Sequence, residues 1–453
     1  MIPVVTPEEM AAVDAAAPEP VDDLIERAGA AVARAALEMM GGAYGRRVVV
    51  IAGPGNNGAD GRACARRLER RGVRCTIVDA VTADPVLPVA DLYVDAAFGT
   101  GLKRSYTPPA RSAASAPVLA VDIPSGVDGL TGAILDDGRP WPADRTVSFA
   151  ALKPGLLFEP GRRLAGRVDV VDIGLDVDVA TMHVVETADV SGWLPWRRPD
   201  DHKWTTACRI VAGGTGMSGA ATLASAAALT AGAGFVQLVR PGVDPDSPAP
   251  VEAVRPAVGN TRWAGPALDD IERFVAVLIG PGLGSGEEIR REVAEFVAGC
   301  DRPLVIDADG LTPATVEALV DRPAATILTP HDGEFARLGG DADSPDRIRA
   351  TTELASSVGA HVVRKGPTTV VADPRGAVRL VTMADQRLAT AGTGDVLGGI
   401  IVACLGRGAT PFDAAAGGAH LHALASRFGP AEGLTAGLLV DLIPDALSEV
   451  RDS

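Results

Sequence analysis

At 453 residues the chain exceeds what one hydrophobic core ordinarily fills, so two or three domains are expected. A formal net charge of −16 argues against a nucleic-acid partner, which needs a basic face, and only 4% of the residues are aromatic, so stacking platforms are scarce. The five cysteines form no C-x-x-C and sit in apolar runs, which reads as reduced core thiols of a cytoplasmic protein.

The opening "MIPVVTPEEM" lacks the charged start and apolar core of a signal peptide. Apolar runs then recur between helical patterns: "VVVIA" (48–52), "CTIVDA" (75–80), "DLYVDAAF" (91–98), "VLAVDIP" (118–124), "TVSFAA" (146–151) and "GRVDVVDIGL" (166–175). Such runs are expected of strands buried on both faces of a parallel sheet. The Pro-containing segment "ETADVSGWLPWRRPD" (186–200) reads as a linker. A second series follows at 208–214, 234–239, 275–282, 303–310, 325–330, 361–366 and 368–373. The Ala-rich stretch 220–239 is broken by Gly232 and Gly234, so it reads as a soluble helix and a strand, with no membrane span. Two α/β domains are therefore expected, over 1–190 and 200–453.

Ligands of open α/β sheets bind beyond the carboxyl ends of the strands. "GPGNNGADG" (53–61) follows the first strand and spells G-x-G-x-x-G, the pattern of a dinucleotide fingerprint, and Asp79 closes the next strand. Turn chemistry alone also explains Gly, Asn and Asp there. A carboxylate at Asp60 would oppose a pyrophosphate at the helix start, which weakens the hydride-cofactor reading. Asn side chains, Asp95 and Ser125 are instead hard oxygen ligands suited to a monovalent or divalent cation, and Asp122 in "DIPSG" is left as an acid–base candidate.

"LIERAG" (24–29), "GPGNNGADG", "VDAAFGTGL" (94–102), "VDIPSGVDG" (121–129) and "GRVDVVDIGL" together resemble, in order, the NAD(P)H-hydrate epimerase family. The resemblance implies a Rossmann-like three-layer domain that interconverts R and S forms of hydrated NAD(P)H at C6. It places the dinucleotide substrate on Asn56, Asn57, Gly58, Ala59 and Asp60, on Gly99, Thr100, Gly101, Leu102, Lys103, Arg104 and Ser105, and on Asp122 as the acid–base residue. It places potassium on Asn57, Asp95 and Ser125. The family's usual "NNGGDG" is "NNGADG" here, and a positive φ at Ala59 would cost about 1 kcal/mol.

In the second half, "TAGTGDVLGGIIVACLGRG" (390–408) sets Gly392 and Gly394 before an apolar helix, where free N–H groups form an anion hole. Asp395 at the helix start is either a general base toward a hydroxyl or an N-cap. "LTPHDGE" (328–334), "VVRKGPTT" (362–369) and "GPGLGSG" (280–286) bring His331, Glu334, Lys365 and a glycine loop to strand ends; the P-loop pattern is absent. His420 and His422, two apart on a helix, read as structural.

With "DHK" (201–203), "GGTGMSGAATLASAAALTAGAG" (213–234) and "DADGL" (307–311), these motifs resemble the ribokinase-like superfamily and, within it, the ADP-dependent NAD(P)H-hydrate dehydratases. The resemblance implies phosphorylation of the C6 hydroxyl of the S-hydrate by ADP, with magnesium, then loss of phosphate to restore NAD(P)H, leaving AMP. It places the hydrate on Ala220, Gly284, His331 and Asp395, and the adenine nucleotide on Lys365, Gly366, Pro367, Thr368, Thr369 and Gly394. Asp395 would be the base. The resemblance also implies a homo-oligomer whose small-molecule partners are the hydrates NADHX and NADPHX and ADP, with no nucleic-acid or membrane partner. The alternative is a hydroxymethylthiazole-type kinase with a regulatory nucleotide-binding N-terminal domain.

Overall fold

The computed structural model describes every residue of the chain except position 321. It divides into two compact units, Ile2–Met182 and Met1 with His183–Ser453. The division falls ahead of the segment expected as a linker. That segment instead holds a helix, Thr187–Trp193, whose Val190 is buried with Leu194 in the core of the second unit.

In the first unit the strand Arg47–Ala52 lies between Arg74–Asp79 and Leu92–Ala96, and the sheet continues through Val118–Val121, Arg145–Phe149 and Arg167–Val171. Every pairing is parallel. The central strands are almost wholly apolar and β-branched, as burial on both faces requires. Arg74–Asp79 departs from that expectation: it is an edge strand with most of its side chains exposed. The helices Val21–Met40 and Asn56–Glu69 share one core with Val50, Val94 and Leu119 of the sheet. Tyr93, Trp141 and Ile51 fill a second core on the other face.

The second unit is a larger mixed sheet. Phe235–Val239, Ala207–Val211, Ala276–Ile279, Leu304–Ile306, Thr326–Leu328 and His361–Arg364 are parallel neighbours in that order. Thr369–Ala372 and Val378–Val381 extend it antiparallel. The last strand escapes a search for apolar runs because Arg379 interrupts it; the turn Asp373–Gly376, closed by Gly376 N to Asp373 O at 2.9 Å, is the signal that could have found it. The helices Ser218–Thr230, Thr393–Gly406 and Pro411–Phe428 pack in one core, and Glu287–Gly299 with Arg347–Val358 in another. The Ala-rich stretch is thus a helix and a strand. Among the described residues no helix is long and apolar enough to cross a membrane.

Candidate active sites

In each unit the candidate site lies beyond the carboxyl ends of the parallel strands. In the first unit the chain leaves Arg47–Ala52 through Gly53 and enters the helix at Asn56. A Cβ on Gly53 would stand 1.8 Å from the Ala97 carbonyl oxygen and one on Gly58 1.9 Å from the Gly53 oxygen, so these two glycines let strand, turn and helix close up. Ala59 is in that helix, its N–H donating to Gly55 O at 3.1 Å, and its φ is not positive. The strain considered for Ala59 is absent: a helical backbone suits alanine.

A cavity of about 490 Å³ opens over this turn, lined by Asn56, Asn57, Asp60, Asp122 and the Gly99–Leu102 segment. Of the residues assigned to the substrate, Gly58 and Ala59 lie within the helix and Lys103, Arg104 and Ser105 do not line the cavity. Asp14 and Lys153 do, and sequence reasoning missed both. Lys153 is 1% exposed and its Nζ stands 2.7 Å from Asp122 Oδ1, while donating to Phe149 O at 3.0 Å and Ser148 Oγ at 3.1 Å. Asp122 has φ 67°, and its N–H donates to Val147 O at 2.7 Å. This left-handed backbone, uncommon for a non-glycine residue, anchors the carboxylate to the neighbouring strand. Burial, then the nearby Asp122 and Asp14 carboxylates, push the Asp60 carboxyl up to about 8. Asp14 is also raised, mainly by burial, with Lys153 opposing the shift.

Asp95 and Ser125 meet beneath this cavity. Ser125 Oγ lies 2.6 Å from Asp95 Oδ1, and Ser125 N donates to Oδ2 at 2.9 Å. Asp95 is completely buried, which raises its pKa despite these hydrogen bonds, and among the described residues no basic side chain pairs with it. Asn57 is buried with neither amide atom hydrogen-bonded. A buried carboxylate without a cationic partner and an orphaned amide oxygen fit a weakly charged cation such as potassium.

In the second unit Gly392 takes φ 91° and caps the helix Thr393–Gly406, so Asp395 lies in the first turn and does not serve as the cap. Lys365 Nζ stands 3.0 Å from Asp307 Oδ1 and 3.5 Å from Glu334 Oε2. A Cβ on Gly394 would be 3.7 Å from that ammonium. Burial, reinforced by Asp307 and opposed by Lys365, raises Asp395 to about 6. Gly284 N donates to Asp309 Oδ2 at 2.8 Å, and Gly282 closes on Ala220, which a Cβ there would meet at 2.9 Å. His331 is exposed and caps the next helix: its Nδ1 accepts from Gly333 N at 3.0 Å, and Glu334 Oε2 accepts in turn from His331 N at 2.8 Å.

Lys365, Gly394, Asp395 and Gly284 are thereby gathered around Asp307 and Asp309, whose motif was quoted from the sequence but given no role. Gly366, Thr368 and Thr369 belong to the turn and strand start that carry Lys365. Lysine is the signal that could have completed both sites. The chain has four (Lys103, Lys153, Lys203, Lys365), and two of them are held against carboxylates here. His422 Nε2 bonds Thr393 O at 2.8 Å and His420 Nε2 lies 3.1 Å from Thr187 Oγ1; burial lowers both to about 4, so they are neutral supports.

Among the described residues no three His, Cys, Asp or Glu side chains converge on a metal. Two carboxylates beside an anion-binding helix start fit magnesium that enters with nucleotide phosphates.

A Rossmann-like domain followed by a ribokinase-like domain, each with a lysine and a carboxylate paired beyond the carboxyl ends of its strands, is the architecture of a two-domain enzyme. A family model described as NAD(P)H-hydrate dehydratase matches residues 208–448, and one described as YjeF-related protein N-terminus matches 21–88 and 78–155. The chain is 35% identical to the bifunctional NAD(P)H-hydrate repair enzyme Nnr of Salinibacter ruber, over 94% of this chain and 92% of that one. It is 33% identical to the Escherichia coli protein of the same name, over 95% and 90%. A solved structure of the ADP/ATP-dependent NAD(P)H-hydrate dehydratase from Bacillus subtilis, co-crystallised with ATP and Mg2+, matches with a TM-score of 0.53 at 29% identity, covering 59% of this chain and 98% of that one. The chain belongs to the family of bifunctional NAD(P)H-hydrate repair enzymes. Similarity running through both halves sets aside the thiazole-kinase alternative.

Proposed function

We propose that the chain repairs hydrated NAD(P)H in two steps, epimerising the R and S hydrates in the first unit and dehydrating the S hydrate with ADP in the second. The observation that carries this reading is the pair of separate sites, each joining a lysine to a carboxylate beyond the carboxyl ends of parallel strands, in a chain similar to the repair enzymes over nearly its whole length.

In the first site Asp122 moves the proton at the nicotinamide ring, and Asn57, Asp95 and Ser125 hold potassium, which would offset the substrate's phosphates. In the second, Gly394 and the helix N-terminus receive the phosphates of ADP beside Lys365. Asp395 takes the proton of the C6 hydroxyl as its oxygen attacks the terminal phosphorus of ADP and AMP leaves; phosphate then departs from C6 as a proton is lost from C5 and the C5–C6 double bond forms, because phosphate is a better leaving group than hydroxide. Bound magnesium would neutralise charge on the phosphoryl oxygens, near Asp307 and Asp395.

The test is to incubate the chain with an R,S mixture of hydrated NADH, ADP, Mg2+ and K+, and to follow NADH absorbance. Consumption of both epimers is expected. Recovery of the S fraction alone would remove the epimerase, and no recovery would remove both activities.

A further inference from the structure

We propose that Asp60 is the general acid of the first site, sharing its cavity with Asp122 as base, and that Lys153 is the positioning charge that holds the Asp122 side chain. The inference rests on the epimerase reading and adds to it, since substrate binding alone was assigned to Asp60.

Three observations carry it. Asp60, Asp122, Asp14 and Lys153 all line one cavity. The single ammonium among them is committed to Asp122 at 2.7 Å, so the carboxyls are not in equivalent surroundings. Asp60 is 8% exposed, and among the described residues neither a hydrogen bond nor an ion pair is formed by its side chain.

The groups that face Asp60 reinforce the asymmetry. From the helix Pro7–Ala16 comes Asp14, and from the loop after Val118–Val121 comes Asp122. From the helix Val21–Met40 the cavity receives Leu24, Ile25 and Ala28, while Glu26 is engaged by Arg66 and Arg67. At the end of Leu92–Ala96, Asp95 is turned to Ser125. Burial and two carboxylate neighbours thus hold Asp60 protonated up to about pH 8. Two carboxyl groups in one cavity, one buried without a cationic partner and the other held against an ammonium, are the arrangement of an acid–base pair.

The chemistry closes with these groups and water. Asp60 gives its proton to the C6 hydroxyl oxygen; the C6–O bond breaks, water departs, and the N1 lone pair forms a C6–N1 iminium. A water molecule on the opposite face adds its oxygen to C6 and loses a proton to Asp122, regenerating neutral N1 and an inverted hydrate. Proton transfer from Asp122 to Asp60 through cavity water restores the starting state.

The test uses the full chain and purified R-hydrate in H2(18)O. In the wild type, inversion should carry 18O into the C6 hydroxyl, and kcat/KM should fall as pH rises through about 8, where Asp60 loses its proton. Asp60→Asn should lower kcat for epimerisation by roughly 10²–10⁴-fold, the usual share of general acid–base catalysis, with KM changed only a few-fold, and Asp60→Glu should recover part of it. Retained kcat with a raised KM in Asp60→Asn would overturn the proposal, as would inversion without 18O. The wild-type label and pH profile stand even if the variants misfold. A wild-type chain that leaves R-hydrate unchanged is a separate result, against the epimerase reading itself.

Discussion

Asp395 shows how a first-turn carboxylate is readied for the role proposed for it. The helix N-terminus favours its anion, but burial and Asp307 hold its pKa up at about 6, close to the range where a base combines sufficient ionisation with proton affinity. The sign follows from the role: a base must be unprotonated, so kcat/KM for dehydration of S-hydrate should fall as pH drops below about 6 and level off above it. Asp395→Asn keeps the size of the side chain and removes the acceptor. Dehydration should drop by roughly 10²–10⁴-fold, with epimerisation of R-hydrate untouched. Near-normal turnover of S-hydrate in this variant would leave Asp395 with a structural role only. The same contrast separates the two sites at residue scale: in the proposed roles Asp60 acts protonated and Asp395 ionised, so raising pH should slow one reaction through the range in which the other is already at its plateau.

At the scale of elements, each site depends on how a helix begins. Gly392 combines φ 91° with a close fit: a Cβ would meet Leu223 Cδ1 at 2.6 Å and Ala436 Cβ at 3.0 Å. Gly392→Ala should therefore cost about 1–2 kcal/mol from the backbone alone, lower Tm by several degrees and raise the KM for ADP, because the N–H groups of Thr393–Gly406 are displaced together. An unchanged Tm and KM would show that the loop tolerates the side chain. This much was legible in sequence, since glycines ahead of an apolar run announce a helix start whatever packs around it. The strand runs were legible for the same reason: burial on both faces leaves "VVVIA" and the strand Val118–Val121 no polar residues. What was not legible was contact between distant segments. Lys153 sits in "ALKPG" with no local pattern to mark it, and only the fold brings it to Asp122. Asp307 had a motif but no partner until Lys365 arrived from another strand. Arg74–Asp79 reads as a buried strand yet lies at an edge, because sequence gives the strand and not its place in the sheet.

At the scale of the whole molecule, the two units have separate buried clusters: Val32, Val50 and Leu68 belong to one, Leu278, Ile400 and Leu421 to the other. The catalytic groups proposed for each reaction likewise come from one unit alone, Asp60, Asp122 and Lys153 from the first, Asp307, Lys365 and Asp395 from the second. A cut at residue 183 keeps the helix Thr187–Trp193 with the core that buries Val190, whereas a cut at 200 would strip it away. Val190 and Leu194 are 0% and 2% exposed, so losing both uncovers side chains worth about 1.5–3 kcal/mol each. A fragment of 183–453 should therefore be soluble, convert S-hydrate with ADP at a rate near that of the full chain, and leave R-hydrate behind. A fragment of 200–453 should have a lower Tm by several degrees or aggregate. Adding a separately produced 2–182 fragment to 183–453 should restore consumption of R-hydrate without any covalent connection. If 183–453 is inactive on S-hydrate while the full chain converts it, the second site needs the first unit in place, and the division into independent catalytic units is wrong.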